Sequence, residues 1–458
     1  MAIIKKILSY FLDLEFFEPT PESLDKKFLE DFKNSPQCRN YTLQLFPLNL
    51  TKEDKLKVKS FHGLEQGLIG NCGLISVIYS LLGNGLVRED CIRIITKDMI
   101  EVTLYTNGIG EKIVMTNKVV VRERSNKFYY VTAFGNNSYV VSFLEKAFAT
   151  AALSYSALKS YTIADAFYEL TGYPPQFLKC QNCQEDYYDL FRNLCRDNSV
   201  VIGTTNKFEQ NGIPCDENRP VLLGNVYIYL GHGYPVLGVK IISTMIERKQ
   251  YESGNVVETF SLTYVIILYN VYRNKTYVQS NIPELDDDNE RDWKEGKLYC
   301  DLKSFYPVIS HIITMKKNYL EQNFNDPIQI VLEKYSELEG LTFQTQSEFY
   351  ITFLLDIPLH IKEKLKSDVK KEKENKTIIK FFATIISQDG TTQPNPFIKS
   401  ESCIVTRKWN FLRYENDFKS IIKFKIHIHI DNKPIDFEQY GIKSLKMIIK
   451  SKGKFEII

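Results

Sequence analysis

The chain has 458 residues, of which 44% are hydrophobic and 25% charged, and its formal net charge is +2. That length gives room for two or three domains, and the near balance of charge leaves no basic surplus of the kind that nucleic-acid binding draws on. Nine cysteines are scattered without a compact disulfide framework, which points to a reducing compartment and a cytoplasmic location.

In chain order, residues 1–17 hold an apolar stretch interrupted by Asp13 and Glu15. It is too short to span a bilayer and lacks a small-residue cleavage site, so we read an amphipathic segment. No other window is long and uncharged enough to cross, and no integral membrane segment is expected. Residues 1–60, broken by Pro19, Pro21, Pro36 and Pro47, read as a lead segment packing on the core. Next comes Gln66-Gly67-Leu68-Ile69-Gly70-Asn71-Cys72-Gly73, followed by Leu74, Val77, Ile78, Leu81 and Leu82 at helical spacing. Cys72 therefore falls in the first turn of a buried helix. There the unpaired N–H groups and the helix dipole favour a thiolate.

Between 101 and 141 short β-branched and aromatic runs alternate with turn residues and read as strands. Helices follow over Ser142–Ala149, Ile163–Leu170 and 186–196, and then strands at Val200–Gly203, Val236–Ile242 and Leu262–Tyr269. Helices first and antiparallel strands after define an α+β fold with a cleft between its halves, 61–200 and 201–318. From 319 to 458 the runs Phe349–Leu355, Ile378–Ile386, Ile404–Phe411, Ile421–Ile430 and Leu445–Ile449 read as a separate β-sandwich. The Lys/Glu-rich run Lys362–Lys376 reads as a solvated loop.

A nucleophilic thiol needs a base. Of six histidines, His232 stands out, because Gly231 and Gly233 leave its imidazole free to approach another group. His427 and His429 alternate with isoleucine on one face of a strand, without a third metal ligand, and read as a solvated face. Asn270 ends the apolar run that begins at Tyr264, where its amide oxygen can accept from an imidazole N–H and fix the ring. Cys180 and Cys183 form a lone CxxC, read as a loop for want of a second pair.

These blocks resemble the calpain family of papain-like cysteine proteases. The family pattern Gln-Gly-x-x-Gly-Asp-Cys-Trp is similar to Gln66–Gly73, and Leu-Glu-Lys-Ala-Tyr-Ala is similar to Leu144–Ala149. Gly-His-Ala-Tyr-Ser-Val is similar to Gly231–Val236, Asn-Pro-Trp-Gly to Asn270–Arg273, and the closing Phe-Trp-Met-Ser-x-x-Asp-Phe to Leu298–Phe305. The likeness runs over about residues 16 to 316 in the family's order. It implies a papain-like two-lobed fold and hydrolysis of protein substrates by Cys72, His232 and Asn270, with Gln66 at the oxyanion. It also implies a cleft formed by Gly70, Gly73, Gly231 and Tyr272.

The resemblance implies no cofactor for the chemistry, but calcium as a regulator. The acidic run holding Glu284, Asp286, Asp287 and Asp288 is the candidate for it. The terminal β domain sits where the family carries its β-sandwich and would supply membrane-surface or protein contacts. Gly73 and Tyr272 replace two tryptophans, and Asn71 replaces an aspartate. Those departures leave a second reading open, a catalytically silenced scaffold of the same fold. A transglutaminase-like acyl transfer is disfavoured, since Asn270 stands where that chemistry uses an aspartate.

Overall fold

The structure is a computed structural model. It describes 19–35, 38, 41–48, 64–87, 91–106, 108–124, 127–130, 133, 139–178, 180–205, 208–210, 213–214, 220–224, 226–250, 256–271, 296–321, 324–355, 378–386, 392–394, 399–400, 402–404, 410–414, 421–430, 433–434, 437 and 442–458.

The segment expected as a lead folds into the first core. Its helix, Pro21–Lys33, has the start signals of a stable N-terminus: the Thr20 side chain accepts from Ser23 N, Pro21 holds the first helical position, and Glu22 lies in the first turn. Leu24, Phe28 and Phe32 recur every fourth residue and bury one face. The strand Thr42–Pro47 pairs antiparallel with Lys118–Arg124, which in turn pairs with Lys127–Tyr130. A second small sheet holds Ile92–Ile94, Met99–Leu104 and Glu111–Thr116.

Around these pack the helices Cys72–Gly83, Val140–Ala151 and Ile163–Thr171. The last starts on Thr162, whose hydroxyl accepts from Asp165 N, and stops at Gly172, whose φ of 66° only glycine adopts at little cost.

The second core is built on a six-stranded antiparallel sheet. Its spatial order is Lys297–Asp301, Val256–Tyr269, Gly233–Gln250, Asn198–Thr204, Ile309–Lys316, Gln176–Leu178. The helix Gln184–Asp197, which the sequence assigns to the helical half, belongs to this core instead. Tyr187 and Phe191 bury its apolar face among Val200, Ile202 and Ile266. Periodicity reveals an apolar face but not the core that receives it.

In the C-terminal part, one antiparallel sheet runs Ile328–Leu332, Leu445–Ser451, Phe349–Leu355, Asn410–Tyr414, Lys399–Ser400. A second is centred on Ile378–Ile386, Ile422–Ile430 and Phe343–Thr345. Both sheets feed one core, where the Phe349 ring of the first stacks on Phe424 of the second at 5.2 Å. His427 and His429 lie on the other face of their strand from buried Ile426 and Ile428, and His427 Nε2 is 2.8 Å from Thr384 Oγ1.

This part docks on the first core. Buried Ile448 packs on Tyr168, and Tyr350 Oη donates to Gly172 O at 2.8 Å. Among the described residues no helix is long and apolar enough to cross a membrane.

One buried charge pair fixes the first helix to its neighbours. Lys146 and Asp25 side chains are each 3% exposed, and Lys146 Nζ lies 2.6 Å from Asp25 Oδ1. The ammonium also donates to Thr116 O at 3.0 Å and Lys118 O at 2.6 Å, so its donors are satisfied. Removing one partner leaves a buried uncompensated charge, which costs about 3–5 kcal/mol. Lys146→Met is therefore expected to lower stability by that amount in denaturant unfolding. Adding Asp25→Leu should restore part of the loss.

Candidate active site

The Cys72 helix begins in the glycine loop and is buried along nearly its whole length. Three ties place its start against the strand that follows His232. Ser76 Oγ donates to Gly233 O at 2.8 Å. A Cβ on Gly233 would lie 3.4 Å from Gly73 Cα, so two glycines meet where the elements come closest. The Gly233 amide also points at the Cys72 sulfur. Further along the helix, Tyr79 stacks on Tyr269 at 3.8 Å, and Tyr269 is the residue before Asn270. The helix is thus fixed both to the histidine strand and to the asparagine strand.

His232 is held through its backbone. Its N–H donates to Thr204 Oγ1 at 3.0 Å, and its carbonyl accepts from Thr204 N at 2.9 Å. The imidazole leans on Tyr229, with ring centroids 5.5 Å apart. Asn270 donates its N–H to Gly296 O at 2.8 Å, two residues beyond the last pair that Leu268 makes with Val236. His232 and Asn270 therefore leave the same end of an antiparallel strand pair. Gly231, with a φ of 70°, turns the chain into His232 and is exposed.

The glycine loop is pinned from below. Gln66 N donates to Val271 O at 2.7 Å, and Gln66 Nε2 donates to Ile69 O, while Oε1 is buried with no partner among the described residues. The side-chain amide is thus bonded within its own loop. Gly70 has open space around its Cα. Gly73 does not: a Cβ there would lie 2.9 Å from Tyr161 O, so this backbone has no room for an indole. Tyr272 and the acidic residues Glu284, Asp286, Asp287 and Asp288 lie outside the described residues. Among the described residues no group of three or more His, Cys, Asp or Glu is placed to hold a metal ion. Cys180 and Cys183 sit before the helix Gln184–Asp197, with Cys180 Sγ 3.5 Å from Ile309 O.

Four residues to which the motifs assign no role organise this region: Ser76, Tyr79, Thr204 and Glu145. Ser76 carries a readable signal, a small polar side chain one helical turn after Cys72 in an apolar run. Glu145 acts on the residue preceding the thiol. Its carboxylate accepts from Asn71 Nδ2 at 2.7 Å and from Ala133 N at 2.7 Å, and it is fully buried. An aspartate at 71 would set a second carboxylate against Glu145, whereas asparagine supplies an N–H.

The electrostatics differ from the thiolate expected of a helix start. Burial pushes the Cys72 thiol up, against the pull of the Gly233, Gly73 and Cys72 amides. Burial also pushes His232 down. Desolvation disfavours the charged form of each group and, at Cys72, opposes the helix terminus.

A cysteine at a helix start thus lies against the turn that carries a histidine at a strand start, where a helical core meets a sheet core. The family profile for calpain family cysteine proteases matches residues 11–254, over half of the chain. The chain belongs to the calpain family of cysteine proteases. The matched stretch contains Gln66, Cys72 and His232 and stops short of Asn270. No curated protein matches the chain.

Two outcomes follow from the buried groups. Iodoacetamide should alkylate Cys72 of the free protein at a rate that keeps rising past the ordinary thiol pKa of about 8.5. A plateau below about pH 6 would instead reveal a thiolate–imidazolium pair. Burial raises Glu145 from 4.5 to about 7. It holds its proton more tightly folded than unfolded, so its contribution is present below pH 4.5 and lost as pH rises through about 7. Between about pH 5 and 8 the wild type should lose up to about 3 kcal/mol relative to Glu145→Gln in urea unfolding.

Proposed function

We propose that the chain is an intracellular, cytoplasmic endopeptidase that cleaves protein substrates through a Cys72–His232–Asn270 triad. The observation that carries this reading is the packing of the Cys72 helix start against the His232–Gly233 turn, with the Gly233 amide at the sulfur. As the cleft receives a peptide, His232 takes the Cys72 proton and the thiolate attacks the scissile carbonyl. His232 then returns the proton to the leaving amine, and water hydrolyses the thioester. Asn270 orients the imidazole.

The Cys72 N–H and the Gln66 side chain hold the oxyanion. The Gln66 amide has a second N–H besides the one on Ile69 O, so it can serve without breaking the loop bond. The chemistry calls for no cofactor. Calcium enters as a regulator, through the acidic run at Glu284, Asp286, Asp287 and Asp288. The C-terminal part acts as a β-sandwich domain that makes protein or membrane-surface contacts. The two facing sheets with a shared phenylalanine core support that reading.

A second reading, a silenced scaffold, is favoured by Gly73, which lies too close to Tyr161 O to carry a shielding side chain. Activity separates the two. The wild type should cleave casein, and Cys72→Ala should abolish that cleavage without unfolding. Gln66→Ala should lower kcat by about a hundred- to a thousand-fold. If the wild type neither cleaves casein, with or without calcium, nor reacts with a thiol-directed epoxide, the scaffold reading replaces the enzyme.

A further inference from the structure

The strand Leu445–Ser451 has two faces. Leu445, Met447 and Ile449 enter the C-terminal core, while Lys446, Ile448 and Lys450 face the protease core. Ile448 is the apolar anchor of this junction: a Cβ on Gly108 would lie 1.8 Å from its Cδ1. Beside the anchor the two surfaces part around a cavity of about 350 Å³. Tyr105, Thr171 and Tyr173 line it from the protease core, and Phe324, Tyr350 and Lys450 from the C-terminal part. That volume is in the range of pockets that hold small molecules.

The charge in this cavity is lopsided. Lys446, earlier on the same face, feels Glu111, and Lys452 pairs with Glu348 at 2.6 Å. Lys450, between them, pairs with no carboxylate among the described residues. Its Nζ donates to Gly172 O at 3.3 Å and lies 5.2 and 5.9 Å from the Tyr105 and Tyr350 ring centres. Burial lowers Lys450 to about 8, with no acid opposing the shift. One neutral acceptor and two ring faces leave donor capacity on the ammonium. Asp326 also borders the cavity but is exposed at its rim, where water screens it.

We propose that this junction is a binding site for a small phosphate-bearing anion, its oxyanion paired with Lys450 Nζ and its body lying between Tyr105 and Tyr350. Lysine is a point-charge partner for phosphate, and a largely desolvated ammonium gains more from such a partner than a surface one does. Because both halves of the molecule line the cavity, the bound anion bridges them. The site is separate from the Cys72 cleft and does not rest on its activity.

The test is binding of inorganic phosphate to the full chain at fixed ionic strength, by calorimetry and by thermal unfolding against chloride. Phosphate should raise the unfolding midpoint. Lys450→Met should weaken binding about ten-fold or more, Lys450→Arg should retain it, and Asp326→Asn should tighten it about two-fold. If Lys450→Met does not fold, the Arg and Asn variants still decide. Phosphate effects that are absent, or unchanged in Lys450→Met, or weaker in Asp326→Asn, overturn the proposal.

Vesicles of phosphatidylcholine with and without phosphatidic acid identify the source. Acid-dependent sedimentation that free phosphate competes away supports a lipid headgroup. Phosphate binding without sedimentation supports a soluble phosphate ester.

Discussion

The hydrogen bond from Ser76 to the Gly233 carbonyl is the constraint on which the site depends. It spans 157 residues and ties the helix that begins at Cys72 to the turn that presents His232. Two cores that could otherwise shift against one another are set in register where the start of the Cys72 helix meets the His232–Gly233 turn. The glycine at 233 makes this close approach available, since a Cβ there would lie 3.3 Å from Ser76 Oγ and 3.4 Å from Gly73 Cα. The Tyr79–Tyr269 stack repeats the tie at the Asn270 strand. One helix thereby carries Cys72 and is referenced to the strands that adjoin His232 and Asn270. This is preorganisation by packing, in which geometry is fixed before substrate arrives.

Charge is buried in this protein where it fixes position. Asp25 and Lys146 lock the first helix to the helix Val140–Ala151, and the adjacent Glu145 of that helix reaches the residue before the thiol. Neighbouring residues on one helix thus serve the outer packing and the active-site loop. A carboxylate so deeply buried disfavours its own charge, which is why it holds a proton up to about pH 7. The same desolvation raises the Cys72 thiol and lowers the His232 imidazole, each away from its charged form.

What could be read in the sequence was what is local. The apolar spacing after Cys72, the glycines around His232 and the β-branched runs each specify a conformation within a few residues. The expected strands Val236–Ile242 and Leu262–Tyr269 fall within the longer strands Gly233–Gln250 and Val256–Tyr269, and the expected helices after Cys72, at Ser142 and at Ile163 fall on Cys72–Gly83, Val140–Ala151 and Ile163–Thr171. What escaped was what depends on which surfaces meet. Nothing near Glu145 in the chain announces Asn71, which is 74 residues away. The helix Gln184–Asp197 declares an apolar face but not its destination. The thiolate expectation meets the same limit: a helix dipole is a property of one segment, and the desolvation that opposes it is a property of everything packed around it.

The helix Ile163–Thr171 reaches from one end of this system to the other. Ile163, at its start, lies against Gly73, and Gly172, at its end, receives Tyr350 and Lys450 of the C-terminal part. Its nine residues form a rod of about 13 Å, too short to bend appreciably. The C-terminal part and the packing beneath the first turn of the Cys72 helix are therefore joined by one short, stiff strut.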